Sequence, residues 1–397
     1  MKILLLVDDY LPHSTKIGAK MMHELAVALF KKGHQVTVAT PDYRITSKYV
    51  FDSIDDVDIY RFRSPNVKDE SKIKRAINET ALSFNAYKNL KSVFKENQFE
   101  LIVSYSPSIF FGSLIKKLKK KWNAKTYLIL RDLFPQWVID HGLIQEKSAI
   151  ASYFRRFEKI NYKAADRIGL QSPKNLEWFN EKFKLKNKTE VLYNWSSEKP
   201  IIPTNNRFRT KFNLGNKVIL FYGGNMGEAQ DMMNLVRLAE NLKDHTTAHF
   251  VFAGSGNEFN LVKTSIEEKA LKNILLLEPV DQEEYRLMLS EFDIGLFTLH
   301  KDHSTHNFPG KLLGYMAQGL PILGSVNSGN DIIDVINSSN AGFVSVNGND
   351  FEFKHNTLKL IEDHLLREKT GNSSKSLLQD KFSVQSAVDK ILQNGLK

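Results

Sequence analysis

The stretch Thr305-His306-Asn307-Phe308-Pro309-Gly310-Lys311-Leu312-Leu313-Gly314-Tyr315-Met316-Ala317-Gln318-Gly319-Leu320-Pro321-Ile322 decides how this chain is read. Pro309 and Gly310 mark a loop tip. Lys311 to Gln318 reads as one short helix, which Gly319 stops. Pro321-Ile322-Leu323-Gly324 then opens a strand. A loop that feeds a helix N-terminus presents free backbone N–H groups and a positive dipole end, a setting suited to phosphate. Lys311 adds a full positive charge in the first turn. A cation there opposes the dipole, so a bound anion is expected to compensate. A solvated lysine on an ordinary strand-to-helix loop is the alternative.

Working outward, apolar strands alternate with amphipathic helices. Ile3–Val7 is followed by Ala19–Lys32, whose Met22, Leu25, Ala26 and Leu29 have helical spacing. Gly33 stops that helix, and Gln35–Ala39 is the next strand. Leu101–Ser104, Thr126–Leu130, Arg167–Gln171 and Glu190–Leu192 continue the series. This is the α/β class, a parallel sheet covered by helices. Asn194 to Asn213 is polar and contains prolines, as a linker would. A second series follows: Val218–Tyr222, Met232–Asn241, His249–Ala253, Ile274–Leu277, Ile294–Thr298 and Pro321–Leu323. Two doubly wound domains are expected. The first spans residues 1–197, with a C-terminal helix, 383–397, packing back on it; the second spans 198–382. A site between them, at the carboxyl ends of the strands, is expected.

The 397 residues suit two domains, and 42% hydrophobic residues suffice for their cores. The absence of cysteine excludes disulfides, thiolate catalysis and iron–sulfur centres. The N-terminal strand lacks the length and cleavage site of a signal peptide, and no apolar run is long enough to span a bilayer. A cytoplasmic protein, or one peripheral to the membrane on that side, is expected. The net charge of +10 gathers in Lys72–Arg75, Arg155-Arg156 and Lys116-Lys117-Leu118-Lys119-Lys120-Lys121-Trp122. With Trp122, Phe154 and Phe157 alongside, these clusters suit anionic lipid headgroups. Trp122 is expected at headgroup level. No nucleic-acid-binding signature accompanies the charge, so a nucleic-acid partner is not expected.

Three turns carry the candidate chemistry in the second half. Gly223-Gly224-Asn225-Met226-Gly227 and Gly254-Ser255-Gly256-Asn257-Glu258 each follow a strand, and the third is the loop before Lys311. Glycines there let backbone approach a ligand closely and open N–H groups to phosphate. Neither turn matches the dinucleotide fingerprint, and there is no P-loop. In the first half, Arg131-Asp132 follows a strand, as an acid facing a cleft or as a local ion pair. His13, Lys16, Gly18 and Lys20 follow the first strand. His300, His303 and His306 match no usual metal-ligand spacing and read as polar lining. Asp56-Val57-Asp58 is discounted as a metal site.

These motifs together resemble the retaining glycosyltransferases of family four, which have the GT-B fold. Lys32-Gly33-His34-Gln35-Val36-Thr37-Val38 is similar to the family's "GHxVTV", and Ala165–Ser172 to "ADxIxxxS". Asn194 matches the asparagine before the linker. Gly223–Gln230 resembles "GNxGxAQ", Gly254–Gly256 "GxG", and Lys311–Pro321 "KxxEYMAxGxP". Val7–Pro12, Arg131–Pro135 and Asn307–Lys311 resemble, more narrowly, bacterial O-antigen and capsule transferases that add N-acetyl-L-fucosamine.

The resemblance implies two domains facing across a cleft and sugar transfer from a UDP-sugar donor to a polyprenyl-diphosphate-linked acceptor, with no cofactor and no metal. It implies donor contacts at Gly224, Asn225, Gly227, Gly254, Gly256, Val280, His306, Asn307, Phe308, Pro309, Gly310 and Lys311. Lys16, Gly18 and Arg131 fall to the acceptor, and Asp132 and Lys311 to catalysis. The chain departs from the family where His306 and Gly314 replace two glutamates, Arg131 replaces a histidine and Glu228 a basic residue. Gly314 has no side chain to accept a hydrogen bond, which leaves the means of holding the donor's ribose open. A UDP-sugar 2-epimerase of the same architecture and a non-catalytic sugar-binding protein are the rival readings.

Overall fold

The structure is a computed structural model. It describes residues 1–14, 16–66, 78–140, 142–197, 199–203, 205–302 and 308–395. The chain divides into two units: Met1–Tyr193 with Val384–Lys397, and Asn194–Ser383. Residues 194–197 fall in the second unit because the Ser196 N–H donates to the Phe382 carbonyl (2.9 Å) and Ser196 pairs with Ser383.

The first unit holds eight strands: β1 (Lys2–Leu6), β2 (Gln35–Asp42), β3 (Tyr49–Ile54), β4 (Val57–Arg63), β5 (Leu101–Ser106), β6 (Lys125–Leu130), β7 (Arg167–Leu170) and β8 (Thr189–Val191). Their order is β3-β4-β2-β1-β5-β6-β7-β8. The central strands are buried on both faces, and accordingly read as continuous apolar runs such as Ile3-Leu4-Leu5-Leu6. Residues 56–58 lie on the antiparallel β3–β4 hairpin. Asp55 and Asp56 turn it with φ of 50° and 62°, a conformation aspartate tolerates better than most residues. The C-terminal helix Val384–Gly395 belongs to this unit: Lys390 donates to the Val191 carbonyl (2.8 Å) and Asn394 to Glu190 (2.6 Å).

The second unit is a six-stranded parallel sheet of β9 (Val218–Gly223), β10 (Ala248–Ala253), β11 (Ile274–Leu277), β12 (Ile294–Thr298), β13 (Ile322–Val326) and β14 (Gly342–Val346). The order is β11-β10-β9-β12-β13-β14. β9 is central, and the order reverses between it and β12, the kind of position where open α/β sheets take ligands. The helix runs from Lys311 to Gln318, and Gly319 closes it at φ 75°.

Candidate functional site

In the second unit, the turns after β9 and β10 are bonded to each other. The Gly224 N–H donates to the Ala253 carbonyl (2.9 Å), the Met226 N–H to the Ser255 carbonyl (2.8 Å) and the Glu258 N–H to the Met226 carbonyl (2.9 Å). A Cβ at residue 254 would lie 1.8 Å from the Gly224 carbonyl oxygen, and one at 256 would lie 2.2 Å from that of Met226. Gly254 and Gly256 thus admit a neighbouring loop. That need is distinct from the ligand approach expected of them. Asn225 donates from Nδ2 to Gln230 Oε1 (2.6 Å), which also accepts from the Gly227 N–H (3.2 Å), so these motif residues fasten their own turn.

Lys311 reaches over this paired turn. Its Nζ lies 3.4 Å from the centroid of the Tyr222 ring, and 3.6 Å from where a Cβ on Gly224 would stand. The amine is buried and has no hydrogen-bond partner among the described residues. Burial holds its pKa well below the usual lysine range. An unpaired buried ammonium is costly, and a ligand anion is the natural remedy. Gly310 precedes the helix with an open Cβ position, and no side chain among the described residues caps that end.

The other expected donor residues are placed as follows. Phe308 is buried and stacked on Phe382 (4.5 Å), so its ring anchors the loop. Pro309 is half-buried, and Val280 is half-buried beyond the end of β11. His306 and Asn307 lie outside the described residues, as does His303.

In the first unit, Arg131 is buried and donates to the carbonyls of Leu130 (3.3 Å), Gly169 (3.4 Å) and Tyr193 (3.2 Å). It ties strand ends together. Burial lowers its pKa to about 10. Asp132 remains accessible to solvent; desolvation raises its carboxyl above the ordinary range, and the Arg131 charge draws it back. Lys16 stands before the helix Ile17–Lys31, 3.6 Å from Asp9. A Cβ on Gly18 would meet the Tyr105 hydroxyl at 2.8 Å. Asp8, just past β1, was given no role by sequence reasoning; burial pushes it up to about 6, against the pull of Lys16.

The basic run forms the helix Gly112–Trp122, and it overturns one expectation. Trp122 is buried against Phe94 (5.7 Å) and Phe99 (5.1 Å), not exposed at a headgroup level. Lys119 pairs with Asp166 (2.5 Å), Lys121 donates to the Phe94 carbonyl (2.5 Å), and the Lys117 ammonium sits 3.4 Å over the Tyr87 ring. Phe154 is buried as well. Among the exposed apolar side chains, four stand near one another in sequence: Trp137 (45% exposed), Leu143 (65%), Ile150 (57%) and Tyr153 (42%). Ring contacts run from Trp137 to Phe134 (6.5 Å), to Phe154 (4.8 Å), to Tyr153 (5.5 Å), and so connect Trp137 with Tyr153. On the helix Ala149–Ala164 that carries Tyr153, Arg156, Lys159 and Lys163 are exposed.

Residues 18–195 match the family model described as Glycosyltransferase Family 4, and residues 204–377 match Glycosyl transferases group 1. The chain belongs to the family-four glycosyltransferases. It is similar to the probable glycosyltransferase WbjE of Pseudomonas aeruginosa, at 25% identity over 55% of each chain. It is also similar to the putative colanic acid biosynthesis glycosyl transferase WcaI of Escherichia coli K12, at 22% identity over 80% of this chain and 82% of that one. The match thus spans just over half the length of WbjE and most of WcaI. The fold is similar to that of HepE of Anabaena in complex with UDP and glucose, with a TM-score of 0.65 and 12% identity over 99% of this chain and 98% of that chain. Two mainly parallel sheets with alternating helices are the GT-B architecture.

Within this family-four chain, sequence reasoning found Lys311 from its place in the first helical turn. It missed Tyr222, the ring beneath the amine. A tyrosine at the end of an apolar strand looks like any core residue, and only the fold brings it under a lysine 89 positions later.

Proposed function

We propose that this chain is a retaining glycosyltransferase that moves a sugar from a UDP-sugar to a polyprenyl-diphosphate-linked saccharide in capsule or O-antigen synthesis, with N-acetyl-L-fucosamine as the favoured sugar. One observation carries the reading: the buried, unpartnered amine of Lys311, at a helix N-terminus beyond the carboxyl end of a parallel strand. A leaving UDP gathers negative charge on its diphosphate. A preorganised ammonium and helix N–H groups stabilise that charge where it develops. They supply the positive charge from protein groups, so no metal is invoked. Transfer with retention then proceeds on the front face of the sugar, through an ion-pair-like state. Asp132, just past the end of β6, orients the acceptor or the sugar. The complex of HepE with UDP and glucose supports a nucleotide-sugar donor for this fold.

The acceptor's lipid places the enzyme at the inner face of the cell membrane. No described helix is long and apolar enough to cross a bilayer. Docking falls to the apolar patch at Trp137, Leu143, Ile150 and Tyr153, with Arg156, Lys159 and Lys163 beside it for anionic headgroups.

The test is a panel of UDP-sugars assayed for UDP release with and without a polyprenyl-linked acceptor. Release that depends on the acceptor supports the transferase. Release, or epimer formation, that ignores the acceptor overturns it in favour of an epimerase or hydrolase.

A further inference from the structure

The helix Lys311–Gln318 spans eight residues, about two turns, so its ends decide where the Lys311 amine stands. Both ends are held by the segments through which the chain enters and leaves the second unit, at Asn194 and at Ser383. At the C-terminal end, the Gln318 side chain pairs with one residue of the entering segment. Its Nε2 donates to the Ile201 carbonyl (2.7 Å), and its Oε1 accepts from the Ile201 N–H (2.9 Å). The Lys199 carbonyl, two residues earlier, accepts from Arg286 on the helix Gln282–Glu291 (3.1 Å). At the other end, Phe308 stacks on Phe382, the residue before Ser383, and the Phe382 carbonyl accepts from the Ser196 N–H.

A primary amide carries a donor and an acceptor side by side, so Gln318 meets the N–H and C=O of Ile201 as a strand neighbour would. Ile201 lies in a stretch with neither strand nor helix, and this one side chain satisfies both of its backbone groups. Gln318 stands seven positions from Lys311, about 10 Å along the helix, too far to share a ligand group with the amine. Behind it, the Gly319 carbonyl oxygen would lie 2.2 Å from a Cβ on Gly371, so the helix end has no room on that side. Holding Lys311 over Tyr222 without an anion keeps a buried amine unpaired. An anion there favours the held helix over a loosened one. It must then tighten the pairing at Gln318 by the same factor by which that pairing tightens the anion.

We propose that Gln318 is a positioning residue: by clasping Ile201 it fixes the helix that carries Lys311, and it couples the filled phosphate site to the segment that enters the unit. The inference rests on the reading that Lys311 receives the donor diphosphate.

The test is amide hydrogen exchange at Ile201, with and without UDP, alongside UDP titrations of the wild-type chain, Gln318→Ala, Gln318→Glu and Lys311→Ala. In the wild type, UDP should slow exchange at Ile201 about 5- to 10-fold, the low end of ordinary coupling. Gln318→Ala should bind UDP more weakly by a similar factor, and UDP should leave its Ile201 exchange unchanged. Gln318→Glu gives a second reading should the alanine variant unfold. Its carboxylate accepts from the Ile201 N–H but turns a second acceptor to the Ile201 carbonyl, whereas its carboxylic acid restores the donor. Its affinity for UDP relative to the wild type should therefore rise as pH falls from about 8 to about 5. The inference is overturned, and the diphosphate site stands, if UDP binding needs Lys311 but leaves exchange at Ile201 unmoved in the wild type. The same holds if Gln318→Ala binds UDP like the wild type, or if the Gln318→Glu ratio is flat with pH. If UDP binds equally well without the Lys311 amine, or not at all, both fall.

Discussion

The Lys311 amine rests on the face of the Tyr222 ring, 3.4 Å from its centroid. The ring's negative face favours a cation, and desolvation disfavours one. The balance leaves the amine with its pKa well below the usual range. Lys311→Ala should cut turnover on the order of 100-fold or more with the fold intact, since one preorganised charge stabiliser is worth about 3 kcal/mol. Lys311→Arg should rescue only in part, because a planar guanidinium fork spreads its charge and needs different space from a compact ammonium. Steady-state kinetics on the two variants, with circular dichroism as the folding control, decides this. Near-normal turnover in the alanine variant would remove the diphosphate role.

Donor binding should take up protons. The free enzyme holds Lys311 with a depressed pKa, and a diphosphate beside it favours the charged form. Between the two values, the complex carries more protons than its separate parts, so affinity for UDP falls as pH rises through that window. Calorimetry in buffers of different ionisation heat reads the uptake directly. Uptake should vanish in Lys311→Ala; uptake that persists there belongs to another group.

Gly254→Ala and Gly310→Ala should differ sharply. A Cβ at 254 meets the Gly224 carbonyl at 1.8 Å, whereas one at 310 meets open space. The first should cost about 3 kcal/mol or more, as overpacking against backbone does, and the second less than about 1 kcal/mol. Melting temperatures compare them. Equal, small losses would show that the paired turns can part cheaply.

Asp8 should be a stability liability above neutral pH. Burial raises its folded pKa to about 6 from the ordinary 3.8. The native state then holds the proton more tightly than the unfolded chain. The contribution is fully present below about pH 4 and is lost as pH rises through about 6. Asp8→Asn should therefore stabilise the protein by about 1–3 kcal/mol at pH 7.5 and by nearly nothing at pH 4. Denaturant melts at the two pH values test the difference; an equal effect at both would point to packing instead of charge.

Membrane binding should follow the exposed patch. Replacing Trp137, Leu143 and Tyr153 by serine should abolish most binding to anionic vesicles. Changing Arg156, Lys159 and Lys163 to glutamine should weaken it by roughly 1 kcal/mol per charge and flatten its salt dependence. Neutralising Lys117, Lys119 and Lys121 should lower stability more than binding, because these lysines hold Tyr87, Asp166 and the Phe94 carbonyl. Vesicle sedimentation at several salt concentrations separates the outcomes. Binding that is lost only when Lys117, Lys119 and Lys121 are neutralised would return the membrane face to the 112–122 helix.

Much of the fold was legible because its signals are local. Lys311–Gln318 has both ends written in sequence, a Pro-Gly tip before it and Gly319 after it. The β3–β4 hairpin was not, because Asp55 and Asp56 turn it where glycine or asparagine would have announced a turn. The burial of Trp122 did have a signal: Leu114, Ile115, Leu118 and Trp122 form one apolar stripe, which the lysines between them hid. At the candidate site, Lys311 stood out by charge. The need for Gly254 and Gly256 did not, because what each of them meets is a backbone carbonyl some thirty residues away, a contact only the register of β9 and β10 creates.

The return of the last helix to the first unit sets an order of birth. Residues Asn194–Ser383 are contiguous, and Ser196 meets Ser383 at their two ends, so that unit has everything it needs once Ser383 has left the ribosome. The first unit, begun at residue 1, still lacks the helix that reaches Val191 and Glu190. The half that is made second finishes first. A nascent chain stalled before residue 384 would carry one finished unit and one with the Val191 edge of its sheet still waiting for its cover.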